Sequence, residues 1–305
     1  QNDKAAYRLY LRRLLENVPG LTLYQGLAEE IVVRNGRVRG VRLAEGEVLD
    51  ADAVVLCAGT FLGGRIFIGE ATVAAGRANE PPALELARDI RELGFAVLRL
   101  KTGTPMRLHA DGIDWTRFTP QPGDEPPPSF SSRRRWPVRN RALCHLGYTT
   151  PEVGRIVRDN LHRSPLYSGT IQGIGPRYCP SIEDKVVKFP ERERHHLYLE
   201  PEGLGGKEIY ANGLSSSLPV DVQRRILAAI PGLERAQMMR PAYAIEYDAI
   251  QPTQLTPGLE SRAVANLFFA GQVNGTSGYE EAAGQGLLAG INAVLRVRGE
   301  PPFVL

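Results

Sequence analysis

Hydrophobic and polar residues follow one another in short periodic blocks along most of this chain, and the blocks predict a succession of helices and strands. Residues 4–17 carry apolar side chains at helical spacing and predict an amphipathic helix. Residues 30–33 and 38–43 alternate apolar and polar side chains on either side of Asn35-Gly36, a dipeptide typical of two-residue hairpin turns. The pattern predicts a hairpin with one face in water.

Longer apolar runs predict a different kind of sheet further along. Residues 53–60 form a continuous apolar run that ends in glycine and threonine, which is typical of a strand buried on both faces of a parallel sheet. Residues 266–296 predict a strand, a glycine-rich turn and a helix, and further helices are predicted at 82–94, 151–162 and 219–230. Strands that alternate with helices in this way predict a doubly wound α/β domain.

The middle of the chain has a weaker pattern. Residues 101–145 are rich in Pro, Gly, Ser and Arg, so we expect loops and short strands there, and strand-like segments follow near 185–189 and 196–200. We find no internal repeat. The order of elements predicts a sheet domain interrupted by an inserted α+β domain, with bounds at 1–100 for the first part of the sheet domain, 101–245 for the insertion and 246–305 for the returning part.

Composition narrows the class of protein. The chain has 305 residues, 43% of them hydrophobic, which is enough for a packed core, and no apolar run approaches the ~18 residues that suggest a membrane span. The first residues show no signal-peptide pattern and no initiator Met, so we expect a piece of a longer protein. Three scattered cysteines indicate a reducing, cytoplasmic setting, and a net charge of +3 permits an anionic partner without demanding one.

Two glycine-rich turns follow predicted strands. Gly59 lies in the first turn, and Gly271, Gly275 and Gly278 lie in the second. Glycine lets the backbone approach a ligand closely, and free N–H groups at a helix start receive anionic groups. Either turn alone is also typical of an ordinary strand-to-helix junction, but the pair favours a shared cofactor crevice at the strand ends. Neither turn has the G-x-G-x-x-G pattern, so the phosphate-binding loop of a nucleotide is not visible.

Three further segments carry polar chemistry. We predict a sharp turn at 101–105, where Lys101 receives a phosphate or a carboxylate or is simply solvated. Five arginines surround Trp136, which suits an RNA-binding loop, although charge runs are more often only solvated. Glu246 and Asp248 alternate along an extended segment and so face one side, where they act as acid and base or pair with arginines.

Cys179 is the candidate nucleophile. Arg177 and Lys185 flank it and would lower the pKa of its thiol, whereas Glu183 and Asp184 act in the opposite direction. The alternative is a buried, inert cysteine. Cys57 is expected to pack within a core strand, and Cys144 lies beside His145 without any implied contact between the two side chains.

Together these segments resemble the MnmG (also called GidA) family of tRNA uridine 5-carboxymethylaminomethyl modification enzymes. The resemblance covers nearly the whole chain. It is carried by residues 58–62, 99–105, 200–203, 240–248, 270–286 and, above all, Gly175-Pro176-Arg177-Tyr178-Cys179-Pro180-Ser181-Ile182-Glu183-Asp184-Lys185.

The resemblance implies an FAD/NAD(P)-binding fold and an enzyme that takes electrons from NADH and a one-carbon unit from methylenetetrahydrofolate. That carbon is added at ring position five of the wobble uridine of tRNA, with an MnmE-type GTPase as partner and a homodimer as the assembly. Cys179 matches a cysteine implicated in catalysis. The expected FAD contacts are Ala28, Gly59, Thr60, Ala83, Gly271, Gln272 and Gly278. The expected nicotinamide segment is Gly175, Pro176, Arg177, Tyr178, Pro180, Ser181, Ile182, Glu183, Asp184, Lys185, Val186, Val187, Lys188 and Phe189. The expected RNA contacts are Lys101, Arg133, Arg134 and Arg135.

Some features depart from the family pattern. The family begins with a glycine-rich FAD fingerprint and a further cysteine, and it ends with a helical domain for tRNA and partner binding; this chain has neither end. Ala83 stands where a serine is frequent. We therefore expect this chain alone to bind FAD poorly. The competing interpretations are a flavin-dependent NADH oxidoreductase acting on a small molecule, a folate- and FAD-dependent tRNA methyltransferase, which the 175–185 segment argues against, and a non-catalytic RNA-binding remnant.

Overall fold

The computed structural model describes residues 3–129, 138–175 and 180–305. The helices are α1 (Lys4–Glu16), α2 (Leu84–Glu92), α3 (Pro151–Asp159), α4 (Ile182–Lys188), α5 (Val220–Ala228) and α6 (Tyr279–Arg298). The strands are β1 (Ala28–Arg34), β2 (Arg37–Leu43), β3 (Val48–Asp50), β4 (Val54–Leu56), β5 (Arg65–Ile68), β6 (Ala71–Ala74), β7 (Val97–His109), β8 (Thr119–Gln121), β9 (Cys144–Tyr148), β10 (His196–Pro201), β11 (Glu208–Ser215), β12 (Met238–Arg240), β13 (Tyr243–Ile250) and β14 (Leu267–Phe269). Within these ranges, no helix combines the length and apolarity needed to cross a membrane.

The predicted hairpin is confirmed. Strands β1 and β2 pair antiparallel, and β3 adds a third strand beside β2. Asn35 and Gly36 adopt φ values of 52° and 70°, the left-handed conformation that a tight two-residue turn requires and that these two residue types tolerate. The predicted helix at the start of the chain is also confirmed as α1, which begins where the Asp3 carboxylate accepts the N–H of Ala6.

A nine-stranded antiparallel sheet dominates the molecule. Its order is β6-β5-β13-β7-β11-β10-β9-β8, and β12 pairs with β7 beside this path. Strand β7 is its longest member and pairs with β13 over residues 97–104 and with β11 beyond. The predicted sharp turn at 101–105 was therefore wrong, because pairing of residues 101–104 with β13 and of Pro105 with β11 keeps this segment in the ladder. The predicted domain boundary between 100 and 101 falls within β7, and the division itself remains a prediction.

Helices α3, α4 and α5 pack with strands β7, β10 and β11 around the larger core. Ile182 and Val186 lie one helical turn apart on α4 and both enter this core. The prediction of a strand at 185–189 was therefore wrong. Ser181 and Asp184 form a reciprocal capping box that starts a helix there, and this local signal outweighs the strand preference of Val186 and Val187.

The parallel part of the fold consists of β4 beside β14. Strand β14 is buried throughout; Phe269 packs towards α2 and Phe268 towards α6, which gives the helix–sheet–helix layering of an α/β domain. Strand β4 is only half-buried and ends at Leu56. The prediction that Cys57 packs in a core strand was wrong, because the chain leaves the ladder there and Cys57 is exposed.

Candidate functional site

The two glycine-rich turns meet at the carboxyl ends of the parallel pair. A 3₁₀ turn at Gly59–Phe61 follows β4, another at Gly271–Asn274 follows β14, and the two are in contact. Gly59 and Gly271 have φ values of 57° and 78°, which side-chain-bearing residues rarely adopt. A Cβ on Gly59 would stand 3.3 Å from Oε1 of Gln272. The structure thus brings together the two halves of the crevice predicted from the sequence.

Polar atoms inside the second turn lack partners. The Gln285 amide oxygen accepts the N–H of Gly271 at 3.0 Å and the side-chain amide of Asn274 at 3.2 Å. The Asn274 Oδ1 and the Thr276 Oγ1 are buried and have no hydrogen-bond partner in the part of the chain that the structure describes. Buried polar groups are normally satisfied, so both atoms fit a ligand that supplies the missing bonds. Sequence reasoning missed them; the signal was a pair of polar residues within an otherwise small-residue turn.

Helix α6 presents an open start beside this turn. Gly278 precedes the helix without any side-chain cap, Tyr279 is 92% exposed, and no atom lies within 4 Å of a Cβ placed on Gly284 or Gly286. The Glu281 carboxylate folds back into the space where a Cβ on Gly278 would lie. The first turn of α6 therefore offers backbone N–H groups with a carboxylate beside them.

The other predicted FAD contacts divide into two groups. Ala83 donates its N–H to the Phe61 carbonyl at 2.8 Å and accepts from Gly63 at 3.2 Å, so it lies against the first turn. The Thr60 hydroxyl, in that turn, donates to the Gly76 carbonyl at 2.7 Å. Ala28 instead begins β1 and packs, half-buried, on the apolar cluster around α2.

The alternating carboxylates of β13 pair with arginines, one of the two interpretations that the sequence allowed. Arg99 lies opposite Asp248 in the β7–β13 ladder and donates to Asp248 at 2.7 Å and to Glu246 at 2.9 Å. Arg91 of α2 donates to the second Asp248 oxygen at 2.5 Å. Burial alone would lower the pKa of Arg99, but its two carboxylate partners raise it overall. These groups and Arg65 line a polar cavity of about 400 Å³.

This network holds the segment that leads to the cysteine. Glu246 also accepts the backbone N–H groups of Gln172 at 2.8 Å and Gly173 at 2.5 Å. Ile174 then bonds to β7 through both of its backbone groups, donating to Arg99 and accepting from Lys101. Gly175 is therefore tied to two strands of the large sheet by the residues immediately before it.

The far side of the cysteine segment is fixed by the start of α4. The Ser181 hydroxyl accepts the N–H of Asp184 at 3.1 Å, and the Asp184 carboxylate accepts the N–H of Ser181 at 3.2 Å. Lys188 bonds this carboxylate at 2.9 Å, and the ammonium of Lys101 lies 3.9 Å from it. Lys101 is 2% exposed, which argues against the predicted contact with RNA. Both flanks of the cysteine thus attach to β7.

Some predicted site residues lie outside the described ranges. They are Pro176, Arg177, Tyr178 and Cys179 between the two flanks, and Arg133, Arg134, Arg135 and Trp136 in the arginine-rich stretch.

The rest of the predicted nicotinamide segment is mostly structural in character. Glu183 is fully buried, and its Oε1 accepts both the N–H and the hydroxyl of Ser217. Lys185 donates to the Gly213 carbonyl at 3.0 Å, and burial lowers the pKa of its ammonium. Val187, Lys188 and Phe189 are exposed, so their side chains are the accessible ones at the end of α4. Pro180, also exposed, precedes the capping box.

Replacing Asp184 by asparagine is expected to lower the free energy of unfolding by about 1 kcal/mol at pH 7, since a capping partner and a charge are lost. Burial alone would raise the pKa of Asp184, but Lys188, Lys101 and the Ser181 N–H lower it overall. Its stabilising effect is therefore complete above the ordinary Asp pKa of about 3.9 and is lost as the pH falls through the lowered value.

Urea denaturation at pH 7 and pH 3 measures this difference. The difference in free energy of unfolding between wild type and Asp184→Asn should be smaller at pH 3 than at pH 7. Asp159→Asn, at the exposed end of α3, is the matched control and should behave like wild type at both. A difference in free energy of unfolding that is the same at both pH values would contradict the stabilising role of the Asp184 carboxylate.

Comparison with known proteins gives a consistent result. The family model described as glucose inhibited division protein A matches residues 1–301. The tRNA uridine 5-carboxymethylaminomethyl modification enzyme MnmG of Bacillus subtilis is 52% identical over 305 residues, which is 100% of this chain and 49% of that protein. The corresponding enzyme of Thermodesulfovibrio yellowstonii is 51% identical with the same coverage.

The fold agrees as well. The structure of Aquifex aeolicus GidA in its form I crystal matches with a TM-score of 0.94 and 49% identity, covering 100% of this chain and 52% of that one. This likeness confirms the predicted fold class. The chain spans about half the length of the curated relatives that it matches. On the strength of its motifs, its fold and its sequence identity, the chain belongs to the glucose inhibited division protein A (GidA) family.

Proposed function

We propose that this chain forms the central portion of an FAD-dependent enzyme that modifies the wobble uridine of tRNA at ring position five. The observation that carries the proposal is that the residues on both sides of the Cys179 segment contact β7, Ile174 through its backbone and Asp184 through Lys101. The same chain also assembles the two-turn crevice. The relatives named as tRNA uridine 5-carboxymethylaminomethyl modification enzymes support the same substrate. A reducing, cytoplasmic setting suits a cysteine that must stay a thiol.

The residues of the crevice fit a flavin nucleotide. Asn274 and Thr276 supply buried polar atoms without partners among the described residues, and the Gln272 side chain of the second turn reaches the first turn at Gly59. Glycines keep the space free of side chains. FAD bound there would supply hydride and single-electron transfer. The protein's own contribution is to hold the ligand between the turns, to place helix N–H groups near it and to exclude side chains from its surface.

Cys179 is proposed as the nucleophile. A thiolate that adds to C6 of a uridine ring makes C5 able to form a bond to a carbon electrophile, and loss of the C5 proton followed by release of the thiolate restores the ring. Glu246 and Asp184 would position the segment on either side of Cys179. We also propose NADH as the electron source, methylenetetrahydrofolate as the carbon source, an MnmE-type GTPase as partner and a homodimer as the assembly.

Salt-dependent tRNA binding separates this function from a flavin-dependent oxidoreductase acting on a small molecule. Phosphate contacts give a linear fall of log K with log salt, with a slope of about −0.7 to −0.9 per contact. Neutralising Arg133, Arg134 and Arg135 to glutamine in the full-length protein should flatten this slope and weaken binding at every salt concentration. Gln substitution of Arg88 on α2 is the control and should change neither. Binding of tRNA that is absent, or unaffected by the triple change, would contradict the proposed RNA contact.

A further inference from the structure

A second large cavity lies beside the turn between β10 and β11. The 3₁₀ turn at Trp115–Arg117 and the start of β9 converge on it. Its volume of about 560 Å³ falls within the ~300–1,000 Å³ typical of ligand sites. No residue of the two-turn crevice or of the described cysteine flanks lines it. The cavity is therefore separate from the site described above.

Two aromatic rings form part of its wall. The rings of Trp115 and His145 have centroids 4.6 Å apart at an interplanar angle of 53°, and Leu204 and Ile209 add apolar surface. Aromatic and apolar walls favour a flat ring, which stacks or packs against them. The cavity thus suits a planar heterocycle.

Another part of the wall consists of glycines. Gly203 and Gly205 have no atom within 4 Å of the place where a Cβ would lie, and Gly206 has only a backbone oxygen at 3.9 Å. A side chain at any of these positions would project into space that is open to a ligand when glycine is present. Glycine therefore allows a flat ring to lie directly against the peptide groups.

Polar groups at the cavity indicate the rest of the ligand. The His145 Nδ1 is buried and has no hydrogen-bond partner within the ranges that the structure describes, and burial lowers the pKa of its ring, which favours the neutral form. Arg141 lines the cavity and forms no ion pair with another described residue. A flat ring beside the Arg141 guanidinium matches a nucleotide, with its base in the cavity and its phosphate at Arg141.

Strand β11 runs from this cavity to the flank of the cysteine segment. Ile209 lines the cavity, and the Gly213 carbonyl, four residues further along the strand, accepts from Lys185 of α4. Four residues of strand span roughly 13 Å. A single-stranded RNA that presents one base near the cysteine segment can therefore reach the cavity with a nearby base.

We propose that the cavity formed by Trp115, His145 and the 203–206 turn binds an unpaired base of the tRNA, close to the base that is modified. This inference rests on the proposed function. It assigns a specific base contact in addition to the phosphate contacts of the arginine-rich stretch.

Filter binding of an anticodon stem-loop RNA to the full-length protein tests the proposal. Because stacking on one aromatic side chain strengthens binding about 5- to 150-fold, Trp115→Ala should weaken binding by a factor in that range and leave the salt slope unchanged. Trp115→Phe should retain most of the affinity, and His145→Ala should weaken binding independently. His162→Ala, which changes an exposed histidine outside the cavity, is the control. A melting temperature close to wild type shows that each variant is folded.

The outcomes separate this proposal from the proposed function. Wild-type protein that binds no tRNA would contradict the proposed function itself. Wild-type protein that binds tRNA while Trp115→Ala and His145→Ala bind it equally well would overturn only the base site. Titrations with NADH and with tetrahydrofolate form the other arms: an affinity loss for either ring compound, without a loss for RNA, would also overturn the assignment to a base.

Discussion

Replacing Arg99 by methionine is expected to lower the free energy of unfolding by about 3–5 kcal/mol, because it removes one partner from a buried network of charges. The change leaves Glu246 and Asp248 buried, 6% and 1% exposed, without their shared cation. Arg91 still pairs with Asp248, but nothing replaces the bond to Glu246 Oε2 among the described residues. Urea denaturation followed by circular dichroism measures the loss.

Two further variants check the physical reason. Adding Asp248→Asn to Arg99→Met should cost less than the sum of the two single changes, because each single change removes the same Arg99–Asp248 ion pair, which can be lost only once. Arg88→Met on the exposed face of α2 should change the free energy by no more than about 0.5 kcal/mol. Additive effects of Arg99→Met and Asp248→Asn would show that the network is not coupled.

Replacing Cys179 by serine is expected to reduce tRNA modification by at least ~1,000-fold, the scale seen when a nucleophile that acts with fixed partners is removed. A serine hydroxyl is far less ionised than a thiol near neutral pH, so it cannot replace the thiolate. The measurement is the initial rate of modified uridine formed in unmodified tRNA, determined by mass spectrometry of nucleosides. Flavin content and tRNA affinity should stay at wild-type values.

Cys57→Ser is the matched control. Cys57 is exposed and no described contact gives it a role, so its serine variant should modify tRNA at the wild-type rate. Modification that survives in Cys179→Ser at a tenth of the wild-type rate or more would contradict the proposed nucleophile. A loss in both variants would point instead to a general sensitivity to cysteine replacement.

The elements predicted correctly are those with strong local signals. The β1–β2 hairpin follows from Asn35-Gly36, and the crevice follows from glycines placed after two apolar strands. Residues 97–100 were predicted to be extended, but the continuation of β7 was missed because Lys101, Gly103 and Pro105 do not favour a strand by themselves. Pairing with β13 and, further along, with β11 decides the conformation. Helix α4 was missed although Ser181 and Asp184 have capping-box spacing.

The sequence predicted which carboxylates of the site share a face, but not the residues that they contact. The alternation of Glu246 and Asp248 placed both carboxylates on one face, but only strand register identifies Arg99 as their partner. The register depends on contacts between residues about 150 positions apart, which periodicity does not encode. The bonds from Glu246 to Gln172 and Gly173 were unpredictable in the same way. Burial of Lys101 likewise depends on the packing of α4 against the sheet.

We propose that this chain supplies the middle portion of a tRNA-modifying flavoenzyme. The most direct test is a chimaera in which the chain replaces the 52%-identical portion of the Bacillus subtilis relative, expressed in cells that lack their own enzyme. Nucleoside analysis of the cellular tRNA should then show the modified wobble uridine restored, and not restored by the Cys179→Ser chimaera. A soluble, flavin-containing chimaera that leaves the uridine unmodified would contradict the claim.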